Sequence, residues 1–146
     1  MNIVDTNGIT YILKNNLRLI KDYYLAPDVL EESDLAEMVH GRRMPSRIIP
    51  LSGSGYFDQV LYIDHYKKIL NKYGGRSFYN MTGFGDVSIL AAIHTIFDIF
   101  SQQRQGRLFD ISEQIVVFSD DGGLTTKISK EFPGKDIIVK TTGDIS

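Results

Sequence analysis

Acidic residues at four places along the chain have the type and position to support chemistry. They follow short apolar runs or lie near the starts of predicted helices: Asp5, Glu31 and Glu32, Asp86, and Asp120 and Asp121. Two unit charges about 4 Å apart repel by roughly 4 kcal/mol at an effective dielectric constant near 20. Four carboxylates held together therefore need raised pKa values or a bound cation. Their oxygens suit Mg²⁺ or Mn²⁺. Such ions stabilise the charge that builds up on phosphorus, so phosphodiester hydrolysis is the leading reaction.

Short apolar runs bounded by turn residues predict the strands that would carry these acids. Strands are predicted at residues 3–4, 23–26, 114–118 and 137–139, with a further short strand at 48–49. Asp5 then lies at the carboxyl end of the first strand, and Asp120 and Asp121 follow the 114–118 strand. In open parallel sheets, ligands bind outside the carboxyl ends of the strands. The order of the elements thus predicts that the acids share one edge of a sheet.

Apolar residues at helical spacing predict the helices between these strands. They cover residues 10–20, 28–40, 57–73, 87–103 and 122–132, and the fourth is apolar on nearly every side and therefore buried. Asp28 is the predicted N-cap of the second helix, and Asp86 opens the fourth. Apolar strands that alternate with helices predict one α/β domain over residues 1–146. Its architecture is a three-layer sandwich in which helices flank a central parallel sheet of four or five strands.

Four segments resemble, in the same order, the four motifs of the PIN-domain nucleases. Residues 3–7 (Ile-Val-Asp-Thr-Asn) resemble the first motif. Residues 26–32 (Ala-Pro-Asp-Val-Leu-Glu-Glu) resemble the second, in which a Pro precedes a helix and an acid follows. Residues 85–92 resemble the third, an Asp that opens an Ala-rich buried helix. Residues 116–124 resemble the fourth, a strand that ends in a hydroxyl residue, a polar residue and Asp.

The resemblance chooses between neighbouring acids that the residues alone leave open. The spacing of the second motif selects Glu32 over Glu31, and that of the fourth selects Asp121 over Asp120. The resemblance implies that four carboxylates hold one or two Mg²⁺ or Mn²⁺ ions: those of Asp5, Glu32, Asp86 and Asp121.

The resemblance also implies an activity and its partners. It favours metal-dependent cleavage of single-stranded RNA, in which Asp121 is our choice for orienting the attacking water. Many members of the family are toxins that a cognate antitoxin neutralises. An antitoxin protein and a homodimer are therefore candidate partners besides RNA. Residues 41–83 match none of the motifs, so the RNA target is not predicted.

Polar and basic residues near the motifs are candidates to support the site. Asn7 and Ser119 are predicted to hold the acids by hydrogen bonds, although residues of these types also occur in turns without such a role. Arg42, Arg43 and Arg47 form the one basic cluster of the sequence. They are predicted to contact the RNA backbone near the metal, and the alternative is a solvated loop.

Histidine and aromatic residues give weaker signals. His94 and Asp98 are four residues apart on one predicted helix, a spacing that can hold a metal. A hydrogen-bonded histidine in the core is the favoured interpretation. Five aromatic residues could stack on unpaired bases, although ordinary packing is favoured for most of them: Tyr56, Phe57, Tyr62, Tyr73 and Tyr79.

Composition excludes several classes of protein. The 146 residues include 16 Lys and Arg against 18 Asp and Glu, a net charge of −2, which excludes a strongly basic protein held to nucleic acid by its overall charge. Cysteine is absent, which excludes a disulfide scaffold, a thiolate zinc site and a cysteine nucleophile. The longest apolar stretch, 89–100, is shorter than the roughly 20 residues of a membrane span. With no visible secretory signal, we expect a cytoplasmic protein without membrane contact.

Two other functions are compatible with the sequence. A PIN-like domain with a weak site could bind RNA or protein without catalysis, but such a module has no reason to keep four carboxylates that repel one another. A phospho-receiver domain also binds Mg²⁺ through acids at strand ends, and Lys140 could imitate its lysine. Asp5 lies too near the N-terminus for the usual acidic pair of a receiver, so this alternative ranks low.

Overall fold

Five parallel strands form one sheet in the computed structural model, which describes residues 1–73, 85–104 and 114–146. The strands are β1 (Asn2–Val4), β2 (Tyr23–Leu25), β3 (Ile48–Pro50), β4 (Ile115–Phe118) and β5 (Ile137–Lys140). Their order across the sheet is β3-β2-β1-β4-β5, and every neighbouring pair is parallel. The predicted central parallel sheet is confirmed, and it includes the short strand at 48–49.

Five α-helices in the described ranges surround this sheet and complete a three-layer α/β sandwich. They are α1 (Thr6–Lys14), α2 (Pro27–His40), α3 (Gln59–Tyr73), α4 (Gly85–Arg104) and α5 (Gly122–Glu131). Two short 3₁₀ turns add Leu51–Gly53 and Thr142–Asp144. None of the helices in these ranges combines the length and the apolar character that a membrane crossing requires.

The first helix differs from its prediction at both ends. It begins at Thr6, because the side chain of Asp5 accepts a hydrogen bond from the Gly8 N–H and caps the helix directly after β1. It ends at Lys14, and Asn16 just beyond it takes a left-handed conformation with φ 49°. The prediction of a helix over 10–20 followed apolar spacing alone, and its bounds are wrong.

The second helix begins at Pro27, and Asp28 does not cap it. Ala26 is the N-cap residue and supplies no side-chain hydrogen bond. Proline suits the first helical position because its missing N–H needs no partner there. The carboxylate of Asp28 instead accepts a hydrogen bond from the Tyr66 hydroxyl on α3, at 2.6 Å. The acid therefore ties α2 to α3.

The fourth helix is buried over most of its length, as its sequence predicts. Every residue from 85 to 93 is buried, and Thr95, Ile96 and Phe100 continue the buried surface. The helix packs against α2, α3 and α5. Its first turn, which carries Asp86, therefore lies inside the fold.

Strands β1 and β4 lie side by side at the centre of the sheet, where the direction of strand addition reverses. From β1 the sheet extends through β2 to β3, and from β4 it extends to β5. The N–H of Asp5 donates to the Phe118 carbonyl at 3.3 Å, just beyond the pairing of Val4 with Phe118. In open α/β sheets, ligands bind in the crevice at the carboxyl ends of the strands where such a reversal occurs.

Candidate functional site

Asp5 lies at the carboxyl end of β1 with little access to solvent. Its Oδ1 accepts a hydrogen bond from the Gly8 N–H at 2.8 Å, and the residue is only 6% exposed. Burial raises the pKa of Asp5, and hydrogen bonds from Ser119 and Gly8 oppose this shift. The negative charges of Asp120 and Asp121 raise the pKa further. Asp5 is thus a fixed carboxylate with other acids close by.

Asp121 follows the neighbouring strand, β4, and caps the next helix. Its Oδ1 accepts hydrogen bonds from the N–H groups of Gly123 at 2.8 Å and Leu124 at 3.3 Å, at the start of α5. Because β1 and β4 are adjacent and parallel, the aspartates that follow them lie at the same edge of the sheet. The side chain of Asp121 is partly exposed, whereas that of Asp5 is buried.

Asp86 enters the same region from the first turn of α4. It is 9% exposed, and its Oδ2 has no hydrogen-bond partner among the described residues. Burial raises the pKa of Asp86 to about 7, and the charge of Asp121 adds to the shift. The charge of Lys127 opposes it, and those of Asp5 and Glu32 contribute in the same direction as burial. The carboxylate therefore lies within electrostatic reach of three other acids.

Glu32 reaches this group of acids from α2. It accepts a hydrogen bond from the Thr6 hydroxyl. A Cβ built on Gly85 would lie 3.2 Å from Glu32 Oε2 and 3.5 Å from Oε1, so the carboxylate lies directly against the start of α4. We call Asp5, Glu32, Asp86 and Asp121 the acid cluster.

The two alternative acids have other partners. Glu31 is exposed, and its charge acts on Tyr62 and Tyr66 of α3. Asp120 is exposed and accepts hydrogen bonds from the N–H and the hydroxyl of Thr142, at 3.0 and 2.6 Å. These hydrogen bonds lower the pKa of Asp120. Although its charge still acts on the site, Asp120 is engaged by the C-terminal turn.

Of the two predicted supporting residues, the structure brings one to the acids. Ser119 is buried, its Oγ accepts the Asp121 N–H at 3.0 Å, and it also hydrogen-bonds the carboxylate of Asp5. Ser119 therefore joins the two aspartates that follow β1 and β4. Asn7 is exposed, and its side chain makes none of the hydrogen bonds found within the described ranges.

The predicted basic cluster lies away from the acids. Arg42 Nη1 donates to the Leu13 carbonyl at 2.5 Å, in the last turn of α1, whereas Asp5 begins that helix. Arg47 pairs with Asp22 at 3.0 Å, and these residues precede β3 and β2 at the amino ends of the strands. Arg43 is exposed. For Arg42 and Arg47, the prediction of contact with a phosphate beside the metal does not agree with this placement, because proximity in sequence to the second motif did not mean proximity in space.

Lys127 is the basic residue that sequence reasoning missed. Its charge lowers the pKa of Asp86. Its Nζ would lie 3.9 Å from a Cβ built on Gly123, whose N–H binds Asp121. No motif contains this lysine. Only its position on α5, the helix that Asp121 caps, could have indicated that it lies near the acids.

The predicted His94–Asp98 pair belongs to a separate group of charges further along α4. His94 Nε2 lies 2.8 Å from Glu131 Oε1, and His65 Nε2 lies 2.6 Å from Asp98 Oδ2. The two imidazole rings stack with their centroids 4.8 Å apart. We call His65, His94, Asp98 and Glu131 the histidine cluster. It ties α3, α4 and α5 together through hydrogen-bonded histidines.

Three aromatic candidates for base stacking, Tyr56, Phe57 and Tyr62, are packed against other rings, and the Tyr73 hydroxyl donates to Glu131. Tyr62 contacts Phe57 with centroids 5.2 Å apart, and Tyr56 contacts Phe100 at 5.9 Å. Tyr79 lies outside the described residues. Packing therefore accounts for these contacts without a nucleic acid.

The chemistry of the acid cluster fits a hard divalent cation. Its donors are carboxylate oxygens, and the Oδ2 of Asp86 is a buried acceptor without a partner in the described ranges. Within those ranges, no group of three or more His, Asp or Glu side chains is already arranged to hold a metal ion. Mg²⁺ keeps several waters and is commonly bound through only one or two carboxylates, so it does not need a complete protein cage.

Comparisons with other proteins do not assign the chain to a family. No protein-family model, curated protein or solved structure matches it. The relationship to the PIN-domain nucleases therefore stays a prediction that rests on four short motifs and the order in which they occur.

Proposed function

We propose that this protein is a PIN-type ribonuclease that uses Mg²⁺ or Mn²⁺ to hydrolyse phosphodiester bonds of single-stranded RNA. The convergence of acids from β1, β4, α2 and α4 supports the metal-dependent chemistry. The resemblance of four segments to the motifs of these nucleases supports RNA as the substrate.

The observation that supports the proposal most directly is the environment of the Asp86 carboxylate. Its Oδ2 is buried without a partner among the described residues, and burial with neighbouring charges raises its pKa to about 7. A buried acceptor left without a hydrogen bond destabilises a protein by about 1–3 kcal/mol. Folding alone gives no reason for such an arrangement. A cation in the cluster would supply the missing partner and offset the repulsion.

The four carboxylates of the acid cluster would hold the ion. Asp5 and Asp121 are fixed by backbone N–H groups at the starts of α1 and α5, so they form the rigid side. Glu32 and Asp86 approach from α2 and α4. Once bound, the metal supplies an activated water and stabilises the charge on phosphorus. We assign the orientation of the attacking water to Asp121, because it is more exposed than Asp5.

Lys127 replaces the arginines as the proposed contact for an RNA phosphate. Its positive charge acts on Asp86, so it lies within electrostatic reach of the acid cluster. An ammonium group near a metal-bound phosphate contributes attraction without a fixed hydrogen-bond geometry.

The proposed setting follows the family resemblance. We propose a cytoplasmic toxin with a cognate antitoxin as its protein partner, and a homodimer as its assembly. The alternative within the same fold is a module with a weak site that binds RNA or protein without cleavage.

The strand order argues against the receiver alternative. The doubly wound sheet of receiver domains has the order 2-1-3-4-5. Here the order is 3-2-1-4-5, so the third strand lies at the edge beyond the second. Strand β2 flanks β1 in both orders, but the other neighbour of β1 is β4 here and would be the third strand in a receiver.

Thermal unfolding in EDTA and in MnCl₂ tests the metal site directly. Mn²⁺ at about 100 times its dissociation constant should stabilise the protein by about 2.7 kcal/mol, which raises Tm by roughly 8 °C for a domain of this size. We expect Asp5→Asn to abolish this shift and also the cleavage of a single-stranded RNA. Asp98→Asn, on the hydrogen-bonded acid of the histidine cluster, should keep both and serves as the control.

The outcomes separate the alternatives. Absence of a Tm shift in the unmodified protein would overturn the metal site. A shift without RNA cleavage would contradict the ribonuclease and favour the binding module. Loss of the shift in both variants would show that the effect does not belong to the acid cluster.

A further inference from the structure

Ser88 is a buried serine that joins the helices carrying Glu32 and Asp86. Its Oγ accepts the N–H of Asp28, in the first turn of α2, at 3.1 Å. The same oxygen lies 2.7 Å from the hydroxyl of Tyr62 on α3. A serine hydroxyl has one proton and two acceptor sites, so it can make both contacts at once. Three helices therefore meet at one fully buried hydroxyl group.

The contact with Asp28 completes the start of α2. The first N–H groups of a helix have no partner within the helix, and the N-cap residue Ala26 has no side chain that could supply one. The Oγ of Ser88 takes this role from another helix. Asp28 and Glu32 are four residues apart and lie on the same face of α2. The hydrogen bond that holds the backbone at Asp28 therefore also holds the face of α2 from which the Glu32 side chain projects.

Tyr62 holds this serine from α3. Its side chain is buried, and its ring packs against Phe57 and Tyr66 with centroids 5.2 and 5.7 Å apart. Burial raises the pKa of Tyr62 above its ordinary value, so the hydroxyl keeps its proton at neutral pH. Tyr66 adds a parallel contact, because its hydroxyl donates to the Asp28 carboxylate at 2.6 Å. The α3 tyrosines thus anchor the first turns of both α2 and α4.

Glu32 lies next to the residue that precedes Asp86, and its charge acts on Asp86. The Glu32 carboxylate lies against Gly85, so close that a Cβ there would be 3.2 Å from Oε2. Asp86 follows Gly85 directly, and Ser88 belongs to the same first turn of α4. A shift of α2 relative to α4 would change the separation of the two carboxylates without any change in their own side chains.

We infer that Ser88, held by Tyr62, is a positioning residue that sets the separation of the Glu32 and Asp86 carboxylates for a shared divalent cation. This inference rests on the proposed metal site and adds the device that controls its geometry. Ser88 touches neither the ion nor the RNA. Loss of partners that orient metal ligands typically weakens metal affinity by 10–100-fold.

The test compares Ser88→Ala with Thr95→Val. Thr95 is a matched control because it is also a fully buried hydroxyl residue of α4, but its Oγ1 donates to the Ala91 carbonyl within the same helix. The first measurement is the MnCl₂ concentration that gives half of the Tm shift. The second is the hydrogen-exchange rate of the Asp28 amide in EDTA, which reports the bridge without any metal.

Ser88→Ala should raise the half-saturating MnCl₂ concentration at least about tenfold and should accelerate exchange at Asp28. Thr95→Val should change neither quantity. Tyr62→Phe keeps the packed ring and removes one hydroxyl, so it should give an intermediate loss of Mn²⁺ affinity. If Ser88→Ala does not fold, Tyr62→Phe alone tests the inference.

Unchanged Mn²⁺ affinity in the folded Ser88 or Tyr62 variant would overturn the inference while the proposed metal site stands. An equal loss in Thr95→Val would also overturn it, because the effect would then reflect the packing of α4 in general. If the unmodified protein shows no Mn²⁺ shift, the proposed metal site fails and the inference fails with it.

Discussion

Two charged clusters lie along α4, and they are built in opposite ways. In the acid cluster, burial and the charges of neighbouring acids raise the pKa of Asp86 to about 7. In the histidine cluster, burial opposes ionisation of Glu131 as well. There, hydrogen bonds from Lys72, Tyr73 and His94 outweigh burial and lower the pKa of Glu131 to about 2. One cluster gathers like charges, and the other satisfies its acids with donors from neighbouring helices.

This difference separates contacts that stabilise the folded chain from the acids of the proposed metal site. The carboxylate of Glu131 receives three donors and connects α5 to α3 and α4. The Oδ2 of Asp86 receives none among the described residues. Hydrogen bonds therefore stabilise the charged form of Glu131, whereas burial destabilises the charged form of Asp86. Ionisable groups whose pKa values are strongly shifted by burial and neighbouring charges are concentrated at functional sites.

The largest expected effect comes from removing the charge of Asp86 in EDTA. Its pKa of about 7 lies above the ordinary value of 3.8, so the folded state keeps a proton that the unfolded chain releases. This proton stabilises the folded state fully at pH values below 3.8, the ordinary pKa of an aspartate. This stabilisation is lost as pH rises towards 7, by up to about 1.4 kcal/mol per pH unit. We expect Asp86→Asn to gain roughly 2 kcal/mol over the unmodified protein between about pH 5 and pH 7.

Urea unfolding at a series of pH values measures this gain as a difference between two proteins. The titration of His94, whose pKa is lowered chiefly by burial, is common to both proteins and cancels in the difference. A difference that does not change with pH would contradict the raised pKa of Asp86. It would also weaken the contrast between the two clusters.

A smaller effect of the opposite sign is expected in the histidine cluster. Glu131→Ala removes the acceptor of Lys72, Tyr73 and His94, and we expect a loss of about 1–2 kcal/mol at neutral pH. The pKa of Glu131 is lowered from 4.5, so its contribution is present above that value and disappears as the pH falls towards 2. Chemical unfolding measures the loss, and the Tm shift caused by MnCl₂ should be unchanged.

Asp34→Ala is the control for this variant. Asp34 is an exposed acid on α2, and its removal should change stability by no more than about 0.5 kcal/mol. A Glu131→Ala protein that loses its response to Mn²⁺ would show that the two clusters are coupled through α4 and are not independent.

The acids at strand ends were predictable because local chemistry determines their positions. Asp5 directly follows an apolar run and caps the helix after it, whereas Ser119 and Asp120 separate Asp121 from its apolar run before it caps α5. Asp86 opens a segment whose apolar residues surround the helix axis, which indicates a buried first turn. These features place Asp5 and Asp86 without knowledge of any contact between helices, whereas the choice of Asp121 over Asp120 came from the family resemblance.

Residues that join the site through helix packing were not predictable in this way. Lys127 acts on Asp86 only because α5 packs against α4, and Ser88 reaches Asp28 only because α2 packs against α4. The arginines show the converse error. Arg42 follows α2 in sequence, but it binds the end of α1 that lies away from Asp5. Arg42 is therefore close to the second motif in sequence but lies at the opposite end of α1 from Asp5.

The smallest expected effect tests whether Glu32 belongs to the acid cluster. A methyl group at Gly85 would lie 3.2 Å from Glu32 Oε2, closer than ordinary contact, whereas one at Gly122 meets nothing within 4 Å. Both glycines begin a helix beside an aspartate, so Gly85→Ala and Gly122→Ala share the small stabilisation of up to about 1 kcal/mol that alanine brings to a helix.

Only Gly85→Ala should displace the Glu32 carboxylate, by a few tenths of an ångström. Because binding sites tolerate misplacement of no more than about 0.5 Å, we expect a weakening of Mn²⁺ affinity by roughly three- to fivefold. Titration of the Tm shift with MnCl₂ measures it, and Gly122→Ala should match the unmodified protein. Equal affinities in the two variants would remove Glu32 from the proposed site. The ion would then be held only by the acids that follow β1 and β4 and the one that opens α4.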